Sequence, residues 1–231
     1  MKILALDSSG LVASVAVVEN DTLLAEYTVN YKKTHSQTLL PMLDEISNMT
    51  ELDLSTIDAI AVAGGPGSFT GLRIGSATAK GLGLALEKPL ISIPTTAAIA
   101  YNIWDTNKFV CPIMDARRNQ VYTGVYCYTD HRLDTVWEQD TMSIEALAEG
   151  LNCLDHEVIF LGDGVAVYRE KLEALLTIPF SFAPAHVNRQ RAAAVGALAE
   201  VYYKEGKIQT AEEHEPEYLR KSQAERERAE R

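Results

Sequence analysis

Two acids close apolar runs in this chain, and both stand where chemistry can be done. Asp7 ends Ile3-Leu4-Ala5-Leu6 and opens into Ser8-Ser9-Gly10. Asp115 ends the run from Phe109 and opens into Ala116-Arg117-Arg118-Asn119. An acid at a strand end can orient a metal ion or a water, and the N–H groups of the turn beside it can hold a phosphate. The same residues also make an Asx-type turn, in which Asp and Ser bond their own backbone. A third stretch, Gly64-Gly65-Pro66-Gly67-Ser68, lies between an apolar run and a helix start, a position where anions bind. It lacks the GK[ST] ending of a P-loop and is not GxGxxG. Glycines there equally serve a tight turn that needs positive φ. Gly67-Ser68-Phe69-Thr70-Gly71 fails as a nucleophile elbow because Phe69, not a serine, is central.

The remaining catalytic inventory is thin. His35, His131, His156, His186 and His214 are scattered, with no HxxxH or HExxH to put two ligands on one helix face. Cys111, Cys127 and Cys153 form no CxxC and read as reduced core thiols of a cytoplasmic protein. A formal charge of −11 opposes phosphate backbones, so nucleic-acid binding by this chain alone starts at a disadvantage. No run reaches the roughly 18 apolar residues of a membrane span. The opening MKILALDSSG does not read as a signal peptide, since its apolar run stops at Asp7.

The elements that must position these residues read as α/β. With 231 residues, 47% hydrophobic and 23% charged, the chain can bury a core as one large domain or two lobes. Lys2–Asp7, Val12–Val18 and Thr22–Val29 are short apolar runs separated by turn compositions and predict an antiparallel meander. A helix follows, with Thr34 as N-cap and Gln37 completing a capping box. Then come a strand over Asp58–Ala63, the glycine loop, a helix over Gly71–Glu87, a strand over Pro89–Ile93 and a helix over Thr95–Asp105. The plan restarts with strands at Phe109–Asp115, Val121–Tyr128 and Leu133–Glu138. Later Val158–Leu161 runs into Gly162-Asp163-Gly164 and a helix. The expectation is a duplicated fold of two lobes, one over about residues 1–100 and one over 101–231, with the last segment packing back on the first.

Two helix faces invite a partner. Gly71, Gly75, Ala79 and Gly83 recur every four residues and line one face. Interior glycines each cost about 1 kcal/mol relative to alanine, so such a stripe implies close approach of another backbone. Either the chain's own sheet or a second chain supplies it. On the preceding helix, Leu39, Leu40, Met42, Leu43, Ile46 and Met49 spread over roughly half the circumference, wider than one core stripe needs. Pro41 forfeits a helical bond unless the helix starts there or bends. The alternative to a partner face is a fully buried helix.

Several of these strings resemble the bacterial TsaB (YeaZ) family: Ile3-Leu4-Ala5-Leu6-Asp7-Ser8-Ser9, His35-Ser36-Gln37 with Leu39-Leu40-Pro41, and Gly64 through Gly75. Asp115-Ala116-Arg117 and Pro216-Glu217-Tyr218-Leu219-Arg220 match as well. The resemblance implies the actin-like ATPase fold, also described as sugar kinase or ribonuclease H-like. It implies a non-catalytic subunit, with no cofactor of its own, for threonylcarbamoylation of adenosine 37 in tRNA. The implied partners are the catalytic paralogue TsaD, the ATPase TsaE in a ternary complex, a second copy of the chain when alone, and tRNA only through the complex. Thr95 and Ile99 stand where TsaD carries its metal-binding histidines, and Asn188-Arg189-Gln190-Arg191 lacks its late aspartate, so no metal is expected. On this reading Asp7, Ser8, Ser9, Gly65, Gly67 and Asp115 are vestiges of phosphate loops. The partner face comprises His35, Leu39, Met42, Leu43, Ile46, Gly71, Arg73, Gly75, Ala79 and Gly83. An ATP-dependent kinase or hydrolase using Asp7 and Asp115 across a cleft is the competing expectation, and a metallopeptidase a third.

Overall fold

The computed structural model describes residues 1–31 and 38–220, in which one five-stranded sheet plan is built twice. The first half contributes β1 (Lys2–Asp7), β2 (Ala13–Glu19), β3 (Thr22–Val29), α1 (Leu39–Thr50), β4 (Ala59–Gly65), α2 (Phe69–Leu86), β5 (Leu90–Pro94) and α3 (Thr95–Ala100). The second contributes β6 (Phe109–Asp115), β7 (Gln120–Thr129), β8 (Arg132–Ser143), α4 (Ile144–Leu154), β9 (Val158–Leu161), α5 (Gly164–Leu175), β10 (Phe180–Phe182) and α6 (Ala192–Lys204). The sheets run β3-β2-β1-β4-β5 and β8-β7-β6-β9-β10, each with an antiparallel meander joined to two parallel strands. The meander hairpins share their turn chemistry too. Asn20-Asp21 and Asp130-His131 take paired positive φ values of 49° and 61°, and 49° and 62°, which suit the twist of flanking strands.

Both faces of the first sheet are covered, which is why its strands read as near-continuous apolar runs. Leu4, Leu6, Val15, Val17, Ile60 and Val62 face α1 and α2. Ile3, Ala5, Ala16, Ala59 and Ala61 face α3 and α6, and the small alanines admit those helices closely. The second sheet packs one face on α4 and α5, while Val110, Met114, Tyr126 and Leu161 on its other face join the α3/α6 cluster. The layers are therefore α1/α2, sheet, α3/α6, sheet, α4/α5.

Several boundaries differ from expectation. The helix from Thr95 ends at Ala100, beyond which Tyr101 and Trp104 pack edge-to-face at 5.6 Å between ring centroids. The third strand of the second meander runs to Ser143 rather than Glu138, paired with β7 on both sides of register shifts around Val125. Pro41 falls in the first turn of α1, where its missing N–H would have had no helical partner. The Thr34/Gln37 capping box and His35 lie outside the described residues. Of the cysteines, Cys111 is buried and its thiol pushed up to about 12 by burial, whereas Cys153 is exposed and not a core thiol.

Candidate functional site

The loops singled out in the sequence converge at the carboxyl ends of β1, β4, β6 and β9, between the two lobes. Asp7 is fully buried, and its Oδ1 accepts from the Ser9 N–H at 2.9 Å and the Ser9 hydroxyl at 2.7 Å. That is the Asx turn. Ser8 Oγ donates to the Gly71 carbonyl at 2.9 Å, and the Ser68 N–H donates to the Ser9 carbonyl at 2.6 Å. The first turn is thus bonded to the glycine loop. Across the cleft, Asp115 accepts from the Arg117 N–H at 2.9 Å and the Tyr168 hydroxyl at 3.2 Å, and pairs with the Arg117 guanidinium at 3.2 Å. Asp163, at the start of α5, accepts from the Asp115 N–H at 3.3 Å, while burial pushes its carboxyl above the usual carboxylate range. Asp7 and Asp115 each accept hydrogen bonds from their own turn.

The glycine loop is shaped by contact with its own chain. A Cβ on Gly65 would strike the Glu217 carbonyl oxygen, and one on Gly67 would strike that of Ser9. Gly65 takes φ 126°, a region glycine occupies freely. Thr95 Oγ1 accepts from the Gly65 N–H at 3.2 Å, and Ile99 is fully buried in the α3/α6 cluster. Among the described residues, no three His, Cys, Asp or Glu side chains come together as a metal site.

The proposed partner face needs correction. Leu39, Met42, Leu43 and Ile46 are at most 5% exposed and pack on the first sheet with Val15 and Val17. Gly71, Gly75 and Gly83 face inward too. Added Cβ atoms there would meet the Ser8 carbonyl, the Ser8 hydroxyl and the Leu90 side chain respectively, and Ala79 is fully buried. The close backbone approach belongs to the chain's own sheet. Arg73 alone of the named α2 residues is exposed, and the outward line of that helix continues through Ala77, Gly81 and Leu84, with Leu40 exposed on α1.

A carboxy-terminal segment completes the site through contacts that span long separations in sequence. After α6 the chain turns at Gly206 (φ 74°), and Gln209 exchanges backbone bonds with Leu90 at 2.9 and 3.0 Å. Lys80 Nζ donates to the carbonyls of Glu212 and His214 at 3.2 and 3.0 Å. Farther on, the Glu217 N–H donates to the Gly64 carbonyl at 2.7 Å. The Tyr218 ring lies 4.7 Å from Phe69, with Arg73 over the Phe69 ring at 4.0 Å and donating to Tyr218 Oη at 3.3 Å.

His214 makes this segment sensitive to acid. It is 1% exposed, its Nδ1 lies 2.7 Å from Gln209 Nε2, and burial followed by the nearby Lys80 ammonium holds its imidazole below the ordinary 6.5. The unfolded chain therefore takes up that proton first. The stability contribution is complete above pH 6.5 and drains as pH falls from there towards the lower folded value. Urea midpoints should drop more between pH 7.5 and 5.5 for the parent than for His214→Phe. Equal drops would remove His214 from the account.

The twin sheets, each a meander joined to two parallel strands, define the actin-like ATPase class of fold, shared with sugar kinases. An inorganic polyphosphate/ATP-glucomannokinase from Arthrobacter sp. strain KM superposes with a TM-score of 0.51 at 16% identity over 88% of this chain and 99% of that one. A family model described as "TsaD: tRNA N6-adenosine threonylcarbamoyltransferase" matches residues 22–228. The tRNA threonylcarbamoyladenosine biosynthesis protein TsaB of Bacillus subtilis (strain 168) is 32% identical over 225 residues, covering 97% of this chain and 96% of that protein. The YeaZ structure from Pseudomonas aeruginosa superposes with a TM-score of 0.82 at 27% identity, covering 94% and 99%. This chain belongs to the TsaB family. Among its described residues no helix is long and apolar enough to cross a membrane.

Proposed function

We propose that this chain is a non-catalytic scaffold subunit in the threonylcarbamoylation of adenosine 37 in tRNA, acting by binding the catalytic paralogue TsaD and the ATPase TsaE. The observation that carries this reading is its end-to-end match to a protein named for tRNA threonylcarbamoyladenosine biosynthesis. The cleft chemistry supports it: Asp7 and Asp115 accept hydrogen bonds within their own turns, and Thr95 and Ile99 are packed into the interior. For the partner surface we favour the exposed face of α2. The outward line runs Arg73, Ala77, Gly81, Leu84, with small residues at its centre, and a Cβ on Gly81 meets nothing within 4 Å; Leu40 is exposed on the neighbouring α1.

The test uses that open position. Gly81→Trp should leave the melting temperature unchanged or higher and weaken binding to TsaD at least about tenfold, measured by calorimetry, since central interface contacts dominate affinity. A folded variant with undiminished affinity would move the docking surface elsewhere. The competing reading is an ATP-dependent kinase or hydrolase using Asp7 and Asp115 at the ends of β1 and β6. ATP turnover and threonylcarbamoyl transfer, measured for this chain alone and with TsaD and TsaE, separate the two. Activity by the chain alone would overturn the scaffold assignment.

A further inference from the structure

We infer that the carboxy-terminal segment is a clamp that ties the two lobes together at the carboxyl ends of β4 and β6 and fixes their separation there. Its hub is Gln139 on β8 of the second lobe. Gln139 Oε1 accepts from the Thr96 hydroxyl of α3 at 2.8 Å, while Nε2 donates to the Gly65 carbonyl at 3.2 Å and to Glu217 Oε2 at 2.6 Å. One amide therefore joins the second sheet to the glycine loop and to the tail. The tail is held to the first lobe by the Glu217 N–H on the Gly64 carbonyl and by the Tyr218–Phe69–Arg73 stack. It then reaches the second lobe, where Arg220 donates to the Ala116 carbonyl in the hairpin after Asp115. Residues 217–220 thus run from one cleft loop to its counterpart.

The two lobes are also joined by packing along their shared face. Val110, Met114 and Tyr126 of the second sheet share one buried cluster with Ile91, Ile93 and α3. Two-lobed proteins that close around a ligand do so by hinge or shear motion of the lobes. Here opening requires the Gln139 bonds and the Arg220 bond to break together, because they lie in parallel between the lobes. The same geometry accounts for Gly65: its absent side chain is the room in which the Glu217 backbone lies. The clamp makes the chain a body of constant shape, a property independent of which partner it serves.

The test reads interlobe distance directly and contains no partner, so its result is separate from the fate of the scaffold reading. Spin labels are placed on Thr70→Cys in the first turn of α2 and on Ala146→Cys in the first turn of α4, both exposed, in a Cys127→Ser/Cys153→Ser background, with buried Cys111 left unlabelled. Labelled chains are diluted with unlabelled ones so that only intramolecular pairs are measured by double electron–electron resonance. The clamped chain should give one narrow distance distribution. The Gln139→Leu/Glu217→Ala/Arg220→Ala variant, shown to be folded by circular dichroism, should give a broader and longer one. An unchanged distribution in the folded variant overturns the inference. If that variant does not fold, Glu217→Ala and Arg220→Ala are measured singly, together with hydrogen exchange over residues 64–68. Broadening with faster exchange in Glu217→Ala supports the clamp, and no change in either variant overturns it.

Discussion

Gly75→Leu should melt about 12 °C below the parent chain. The position lies on the inner face of α2, where a single added carbon already meets the Ser8 hydroxyl and then Val62. Ser8 cannot give way freely, since its hydroxyl holds the Gly71 carbonyl at 2.9 Å. Overpacking a tight core costs about 1–3 kcal/mol, occasionally more, and breaking the Ser8–Gly71 bond adds about 1 kcal/mol. A total of about 4 kcal/mol converts at about 3 °C per kcal/mol for a chain of this size. Gly81→Ala is the companion measurement. It sits in the same helix with open space around it and should gain up to about 1 kcal/mol from helix propensity. Were Gly75→Leu to melt with the parent, the stripe would not be a packing device of the chain's own sheet.

Glu26→Ala carries the second large effect. Glu26 lies on the edge strand β3 with its side chain only 10% exposed, and it accepts from Arg191 through Nε at 3.0 Å and through Nη2. Its other oxygen accepts from the Ala193 N–H at 3.1 Å, in the first turn of α6, which has no side-chain cap of its own. One carboxylate therefore satisfies a helix start and a guanidinium brought from 165 positions away. Removing one partner of a buried pair costs about 3–5 kcal/mol. Arg191 is one-third exposed and keeps some solvent, so about 3 kcal/mol is expected, read as a lower urea midpoint at unchanged slope. Glu26→Gln should lose less, because its amide oxygen still caps α6. A loss below 1 kcal/mol for the alanine variant would show that water replaces the carboxylate.

The duplicated plan was legible because its signals are local. A buried strand is an unbroken apolar run, a hairpin needs turn residues, and Asp7 and Asp115 end equivalent strands. The face of a helix was not legible from spacing alone. Gly71, Gly75, Ala79 and Gly83 announce that something approaches closely, yet the identical stripe serves a sheet or a partner. Which one occupies it depends on a tertiary arrangement that periodicity does not encode. The wide apolar arc of α1 misled for a related reason. Leu39, Met42, Leu43 and Ile46 form a single inward stripe, and Leu40 and Met49 are simply exposed. Gln139 offered no signal at all: an amide in an alternating strand becomes a hub only when α3, the glycine loop and the tail are folded around it.

The position of α6 has a consequence for how the protein is made. The strands of the first sheet are encoded within residues 2–94, yet the helix that covers one of their faces begins at Ala192. On a ribosome adding about 5–20 residues per second, roughly 5–20 s separate the two. During that interval the face bearing Ala5, Ala16, Ala59 and Ala61 has no α6 to lie against. Alanine exposes little apolar surface to neighbouring nascent chains or to chaperones. The same small side chains that let α6 sit close at the end thus keep the unfinished lobe least adhesive while it waits.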